Sequence, residues 1–325
     1  MSPKSDETLL EKIDEIDKYP TKAAAWNYRI SYKGVLAMGY FHLAAIYGLY
    51  LSITSAKSAT ILFNMITFIA SGLGVTAGAH RLWSHRSYKA TLPLQIILML
   101  FQSMCLQYTV INWVRQHRLH HKYSDTDADP HNASRGFFFS HLGWTLVEEH
   151  DEVTKRITQI DVSDATSNPV LRFQKEYAYP VIGMMCFVLP TVIPVIFWGE
   201  TINVAWHVNM LRYALTLHGT FLINSAAHIY GNRPYDTNIS PTQNTLVSLA
   251  ICGEGFHNYH HTFPWDYRAA ELGNTLLNLS TMFINLCAWF GWAYDLKTVT
   301  DDMIKARARK TGDGTHMTTY MEVNK

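Results

Sequence analysis

Two long uncharged runs near the N-terminus constrain the fold more than any other feature of this sequence. Residues 34–53 and 59–75 contain no charged side chain, and the five residues between them include only one, Lys57. About twenty helical residues, at ~1.5 Å per residue, are needed to cross the ~30 Å hydrocarbon core of a bilayer. The second run is slightly short unless residues 76–79 extend it to His80. The pattern predicts a transmembrane hairpin in an integral membrane protein.

A second hairpin is predicted from residues 179–198 and 206–227, which are again long and apolar. The turn between them contains Glu200 and neither lysine nor arginine. Arg212 interrupts the later helix. A buried arginine in a membrane helix needs polar partners or reaches toward the interface, so we expect Arg212 to pair rather than to act in catalysis.

The apolar segment 92–111 contains three glutamines and is predicted to lie at the interface or to re-enter, not to cross. If it crossed, the histidines at 80 and 85 would lie on the opposite face from those at 117–121, and no single metal site could use both. Four crossings in two hairpins put both termini and all histidine clusters on one face. The turns on the other face carry almost no basic residues, which makes the histidine face cytosolic.

Composition narrows the remaining possibilities. The formal net charge is +1, so there is no basic excess for a nucleic-acid partner. The four cysteines form no CxxC pair and three lie in apolar stretches, which argues against a disulfide scaffold and favours a reducing compartment. We expect one domain over residues 1–325, an all-α membrane unit with a helical cap, a polar N-terminal segment (1–25) and a flexible C-terminal tail (301–325).

Histidine is the anomalous residue, with sixteen copies in the chain. Nine of them fall in three clusters and one further position: His80 and His85; His117, His120 and His121; His257, His260 and His261; and His228. Residues i, i+3 and i+4 share one face of a helix, so each HxxHH cluster is predicted to aim three imidazoles at one point. The i, i+5 pair is about 140° apart on an ideal helix, so it needs a distorted helix or an approach from two sides.

Nine imidazoles can give four or five ligands to each of two metal ions, more than a tetrahedral zinc site uses. Imidazole suits iron, copper, nickel and zinc, so ligand type alone leaves the metal open. A single interfacial histidine is more often structural, but three tight clusters at the polar ends of apolar segments favour metal binding. The other seven histidines are interpreted as structural: His42, His131, His141, His150, His207, His218 and His316.

The chain has no recognisable loop for a nucleotide cofactor. The glycines at 72, 74 and 78 have the wrong spacing for a dinucleotide loop and are interpreted as small residues that allow close helix packing. Reducing equivalents must therefore come from outside the chain, which implies a protein redox partner.

These residues resemble those of the animal membrane acyl-CoA desaturases. The resemblance covers roughly residues 25–300 and rests on these motifs: HRLWSH (80–85), HRLHH (117–121), ADPHN (128–132), GFFFSHLGW (136–144), NSAAH (224–228) and GEGFHNYHH (253–261). It implies four transmembrane helices, a cytosolic cap, an endoplasmic-reticulum membrane location and a centre of two iron ions. The nine clustered histidines would then be iron ligands, and Asn224 would approach one iron through water.

The resemblance also implies a substrate and a reaction. The substrate would be a saturated fatty acyl-CoA in a bent tunnel, and O2 would be reduced with electrons from cytochrome b5 and its NADH-dependent reductase. Gln107, Trp113 and Thr220 match positions that shape the bend, and Arg115 matches a position near the CoA head group. Glu148 and Glu149 depart from the family, which typically has an Arg-Lys pair there.

Residues 238–244 match a segment that varies among insect desaturases, and the Pro-x-Gln form resembles the moth pheromone-gland group. The resemblance favours a Δ9 or Δ11 double bond and a role in unsaturated fatty acid or sex pheromone biosynthesis. A membrane fatty acyl hydroxylase is the nearest alternative because it shares the first hydrogen abstraction. A transporter would scatter polar groups along several membrane helices, whereas here Arg212 is the main ionisable intrusion.

Overall fold

The computed structural model describes residues 26–272 and 275–317 of the chain. Helix α1 (Tyr32–Thr54) and helix α2 (Ser58–Leu73) form the predicted N-terminal hairpin. Helix α2 continues without a break into a π-helical segment (Gly74–Ser84), so this arm is 27 residues long. The extension beyond residue 75 is therefore confirmed, and it delivers His80 to the end of the arm. The predicted polar segment 1–25 lies outside the described residues.

The π-helical segment is fixed by hydrogen bonds between residues five positions apart. The His85 N–H donates to the carbonyl of His80 at 3.1 Å, and the Ser84 hydroxyl donates to the carbonyl of Ala79 at 2.7 Å. Gly74 stands where this segment meets the following helix, and a Cβ there would lie 2.1 Å from the backbone nitrogen of Gln102. Only glycine fits this crossing, which confirms that the glycine pattern serves helix packing.

The segment predicted to lie at the interface, residues 92–111, forms one helix, a loop and the first two residues of the next helix. A short strand β1 (Lys89–Ala90) leads into α3 (Leu92–Ser103), and α4 (Val110–Tyr123) follows after a loop. Helix α3 has 12 residues and spans ~18 Å, too little to cross the hydrocarbon core. Gln174 donates to Gln102 at 2.7 Å and accepts from the Val110 N–H at 2.8 Å, which explains how glutamine is tolerated in an apolar segment.

The chain from residue 124 to residue 177 contains only short helices, and these form part of the cap. They are a 3₁₀ turn (Ala133–Arg135), α5 (Phe137–His141), a second 3₁₀ turn (Gly143–Thr145), α6 (Asp151–Ile157), α7 (Ser163–Ser167) and α8 (Pro169–Glu176). Val170 and Leu171 of α8 join Leu94 and Leu98 of α3 in the largest buried apolar cluster. The cap is thus anchored to α3 by apolar burial.

The second hairpin begins with three consecutive helical pieces: α9 (Ala178–Gly183), a π turn (Met184–Val188) and α10 (Leu189–Trp198). Together they make a 21-residue apolar arm. Helix α11 (Ile202–Asn224) follows, with 23 residues, and packs along α1. Among the described residues, three arms are long and apolar enough to cross a membrane, and α11 is long enough but more polar.

Arg212 lies in the middle of α11 and is 2% exposed. Its guanidinium donates to the carbonyl of Met104 at 2.9 Å, to the carbonyl of Cys186 at 3.1 Å and to the Asn209 side chain at 2.9 Å. The predicted pairing of this arginine is therefore present, with backbone carbonyls as its main partners. It ties α11 to the end of α3 and to the first arm of its own hairpin.

Replacing Arg212 with methionine should destabilise the fold without touching the histidine clusters. The carbonyls of Met104 and Cys186 would lose a charged donor in a buried place, so we expect a loss on the order of 3 kcal/mol in unfolding free energy. Thermal unfolding in detergent measures it, with the exposed Arg172→Met as the matched control. Equal midpoints for the two variants would contradict a structural role for Arg212.

The remaining elements complete the cap: α12 (Ala226–Ile229), α13 (Thr245–Ala250), α14 (His257–Thr262), α15 (Leu279–Trp289), strand β2 (Ala293–Tyr294) and α16 (Asp301–Thr311). Strand β2 pairs antiparallel with β1, with Lys89 opposite Tyr294. Helix α15 contacts the π-helical segment.

The prediction of a flexible tail from residue 301 is wrong for its described part. Helix α16 begins at an N-cap, Thr300, and buries Ile304 and Ala308 against Tyr259 and Phe263. Two apolar residues in a charged sequence do not predict a packed helix from the sequence alone. Here they stabilise the helix because α14 provides an aromatic surface for them to pack against. Residues 318–325 lie outside the described residues.

Candidate dinuclear metal centre

The structure gathers all nine clustered histidines into two groups. Within each group, one ring nitrogen from every member lies within 4.8 Å of the others. Group one contains His80, His85, His117, His121 and His260, and group two contains His120, His228, His257 and His261. The elements that supply them are the end of the π-helical segment, α4, α12 and α14. Two sites of five and four imidazoles match the expectation of two metal ions.

The histidines of each HxxHH cluster divide between the two groups. In α4, His117 and His121 face group one and His120 faces group two, whereas in α14 His260 faces group one. The prediction that each triplet aims at one point is therefore wrong. At 100° per residue, positions i+3 and i+4 lie on either side of position i and about 100° from each other, so they reach different sites. Only the i, i+4 pair stays together.

His80 and His85 both belong to group one in spite of their i, i+5 spacing. The π turn that joins their backbones brings residues five apart closer to one face than an α-helix does. The distortion expected from the sequence is thus present. It allows one helix end to place two imidazoles in the same group.

The ring nitrogens of each group converge on a small space. The Nε2 atoms of His85 and His117 are 2.8 Å apart, and His260 Nε2 lies 2.9 Å from both His80 Nε2 and His121 Nε2. In group two, His257 Nε2 lies 3.1 Å from both His228 Nε2 and His261 Nε2. Several nitrogen lone pairs converge on each point, and a cation accepts such a set.

Three buried carboxylates hold the outer nitrogens of three of these rings. His80 Nδ1 lies 3.0 Å from Glu254, His120 Nδ1 lies 2.9 Å from Asp129, and His228 Nδ1 lies 2.9 Å from Asp125. A carboxylate at Nδ1 fixes the tautomer with the proton on that nitrogen and leaves Nε2 free for a metal. This arrangement is typical of metal-bound histidine and was missed from sequence.

Burial keeps most of the cluster neutral. It lowers the pKa of His117, His121, His257, His260 and His261 well below the ordinary histidine value, and neighbouring imidazoles lower it further. His120 differs: burial acts to lower its pKa, but the Asp129 carboxylate outweighs burial and raises it. Lone pairs that are unprotonated at neutral pH are what a metal needs.

A cavity of about 350 Å³ reaches the centre from α11 and the α3–α4 loop. Gln107, Trp113 and Thr220, all predicted to shape the substrate site, line it, and Gln107 Nε2 donates to Thr220 Oγ1 at 2.9 Å. A smaller cavity shares Trp113 and Thr220 with it and touches His80 and His257. We call these two together the α11 cavity.

The remaining predicted site residues lie at different distances from the α11 cavity. Asn224, at the end of α11, lines both of its parts beside His120. Arg115 is half-buried on α4 and is not among the described residues that line the cavity. Glu149 lines it, whereas Glu148 is exposed and forms a 3.7 Å ion pair with Arg29.

A second and larger cavity, of about 510 Å³, also reaches the histidines. We call it the loop cavity, because residues 238–240 form part of its wall. It contacts His85, His121, His228 and His261. The α11 cavity contacts His80, His117, His120 and His257 instead. The centre therefore lies between two cavities.

The histidines interpreted as structural stay outside both metal groups. His42, His218 and His141 form a hydrogen-bonded chain, with ring nitrogens 3.0 Å and 2.9 Å apart, that ends on Ser225. His131 lines the α11 cavity, a position that its sequence context did not indicate.

Comparisons with known proteins agree with this geometry. The family described as fatty acid desaturase matches residues 58–273. The acyl-CoA Delta(11) desaturase of Spodoptera littoralis is 61% identical over 312 residues, 95% of this chain and 92% of the relative. The acyl-CoA Delta(11) desaturase of Trichoplusia ni is 62% identical over 94% of this chain and 88% of its own. Human stearoyl-CoA desaturase 5 is 52% identical over 87% of this chain and 86% of its own.

Proposed function

This chain belongs to the fatty acid desaturase family, and we infer that it is an acyl-CoA desaturase, an oxidoreductase that introduces a double bond into a fatty acyl chain. The observation that carries the inference is the α11 cavity, which ends at two groups of metal-binding imidazoles. The reaction removes two hydrogens from adjacent methylenes: R–CH2–CH2–R′ + O2 + 2 electrons + 2 protons gives R–CH=CH–R′ + 2 H2O. Iron held by the nine histidines supplies the oxidising power when it is bound.

Iron is our assignment for both sites. The nine histidines would hold the two ions, and Asn224 would contribute through a water at the end of α11. Imidazole ligands alone also suit copper and zinc, so the assignment rests on the family and on the need for redox chemistry with O2. Glu254, Asp129 and Asp125 would orient three of the ligands through their Nδ1 atoms.

The position of the new double bond depends on how the acyl chain is held. Gln107 and Thr220 are joined by a hydrogen bond in the wall of the α11 cavity. Trp113 lines the same wall and stacks on the His117 ring, with 4.8 Å between the ring centroids. We propose that these three side chains bend the acyl chain and keep one pair of methylenes beside the ions. Holding the reacting carbons at a fixed distance from the thioester then sets the regiochemistry.

The CoA head group is expected to meet an unusual surface. Its phosphates suit the guanidinium of Arg115, but Glu149 lies in the α11 cavity wall, where its carboxylate contacts Gln116 at 3.3 Å. Glu149→Lys should therefore lower the KM for acyl-CoA by about fivefold at low salt, because it replaces a repulsive charge by an attractive one. The gain should shrink as salt is added. Glu176→Lys, which changes an exposed glutamate on α8, is the control and should leave KM unchanged.

The remaining partners follow from the reaction. Electrons from outside the chain would come from cytochrome b5 and its NADH-dependent reductase, since the sequence offers no nucleotide loop. We propose residence in the endoplasmic-reticulum membrane with four crossings, α11 being the fourth, and both termini on the cytosolic side. A role in unsaturated fatty acid or pheromone biosynthesis is consistent with the moth relatives.

The test is the fatty-acid profile of desaturase-deficient yeast that expresses the chain. Gas chromatography with mass spectrometry of derivatised methyl esters locates each double bond. New Δ11 or Δ9 monoenes would support the proposal and give the regiochemistry. Hydroxylated acids in their place would favour the hydroxylase alternative. Unchanged lipids from expressed, iron-loaded protein would contradict both and direct attention to Glu148, Glu149 and another acyl carrier.

A further inference from the structure

The loop cavity has no role in holding an acyl chain as described above. It shares no lining residue with the α11 cavity among the described residues, yet each cavity contacts four of the nine histidines. Each set of four includes members of both metal groups. The two cavities therefore give access to both ions from different directions.

The lining of the loop cavity combines apolar surface with several polar side chains. Lys122 and Asn238 are exposed, and Ser240 and Ser124 add hydroxyl groups, whereas Ile239 is half-buried. The wall is fixed to the centre: the Ser240 hydroxyl hydrogen-bonds to the Asp125 carboxylate that also holds His228. These polar groups can hydrogen-bond to water that passes along the wall.

The reaction needs such a route. An acyl chain that fills the α11 cavity covers the ions from that direction, yet O2 must still arrive and two waters must leave in each turnover. We propose that the loop cavity is the entrance for O2 and the exit for water, with residues 238–240 in its wall. This inference rests on the proposed function, because the proposed iron centre and reaction give the entrance its purpose.

Azide is a suitable probe because it is small, ligates ferric iron and produces an absorption band without turnover. In the wild-type protein with acyl-CoA saturating the α11 cavity, azide should still bind at a measurable rate, because the loop cavity stays open. Ile239→Trp should slow that rate by about fivefold or more with an unchanged final absorbance, because the larger side chain fills the entrance. Ile239→Ala should not slow it, and Leu246→Trp, at an exposed position on α13, is the matched control.

Steady-state kinetics provide a second reading. Ile239→Trp should raise the KM for O2 and leave the KM for acyl-CoA unchanged. Two results would overturn the proposed entrance while leaving the desaturase assignment intact. One is azide binding that acyl-CoA blocks; the other is a rate of azide binding that Ile239→Trp leaves unchanged. Absence of the azide band from iron-loaded wild-type protein would overturn the iron centre and the entrance together. The unchanged final absorbance in Ile239→Trp shows that the variant is folded and loaded.

Discussion

Replacing His120 with alanine is expected to reduce bound iron from about two ions per chain to about one or less, and to abolish double-bond formation. His120 is one of only four imidazoles in group two, so its loss leaves three. The substitution also leaves the buried Asp129 carboxylate without the ring that compensates its charge. Metal analysis of the purified protein and the yeast fatty-acid profile measure the two effects.

The matched control for this variant is His207→Ala. His207 lies on α11, outside both groups. Its ring bonds to the carbonyl of Asn203 within its own helix at 2.8 Å and packs edge-on against Tyr47. We expect full iron content and normal products from it. Two irons per chain in His120→Ala, at equal expression, would contradict the assignment of His120 as a ligand.

Asp129→Asn is expected to cost about 10- to 100-fold in iron affinity or in activity, although Asp129 is not itself a proposed ligand. The carboxylate accepts from His120 Nδ1 and from the Asp125 N–H at 2.8 Å, so it fixes both the ring and the turn after α4. An amide keeps the shape but loses the charge that raises the pKa of His120. The ring is then held less firmly in the tautomer that points Nε2 at the metal.

Iron titration with a competing chelator measures this effect, and Asp161→Asn is the control. Asp161 is exposed, its carboxylate accepts from the Ser163 N–H, and it lies outside both histidine groups, so its amide should leave iron affinity unchanged. A purely structural role for Asp129 would predict something different: a lower unfolding temperature with the iron affinity of the folded protein preserved. That outcome would contradict the proposed function of the carboxylate.

Much of the centre could be predicted from sequence because its chemistry is local. The HxxHH spacing and the i, i+5 pair lie within single helices, so periodicity alone indicated clustered ligands and a distorted helix. The same reasoning failed on the division of each triplet, which depends on where the second site lies. Glu254 and Asp129 were missed because a carboxylate becomes a histidine partner only through the turn that carries it.

The membrane topology shows the same limit. Arms with uniform apolar composition were found within a few residues. Helix α11 is more polar: it carries two histidines, Arg212 and Asn209, and the last two are satisfied by carbonyls outside the helix. The helix at the C-terminus was missed for a related reason. Its two buried apolar residues stabilise the helix because Tyr259 and Phe263 pack against them. Contacts that join distant parts of the chain leave little trace in local composition.

Helices α4 and α14 each place proposed ligands in both groups, and this has a consequence for the order of assembly. Each helix gives two imidazoles to one group and one to the other, so no ion can bind without drawing both helices into position. The free-energy cost of ordering both helices falls on the binding of the first ion. The ligands of the second ion are then already in place. Loading should therefore be positively cooperative, and the half-filled protein should be the scarce species during maturation in the cell.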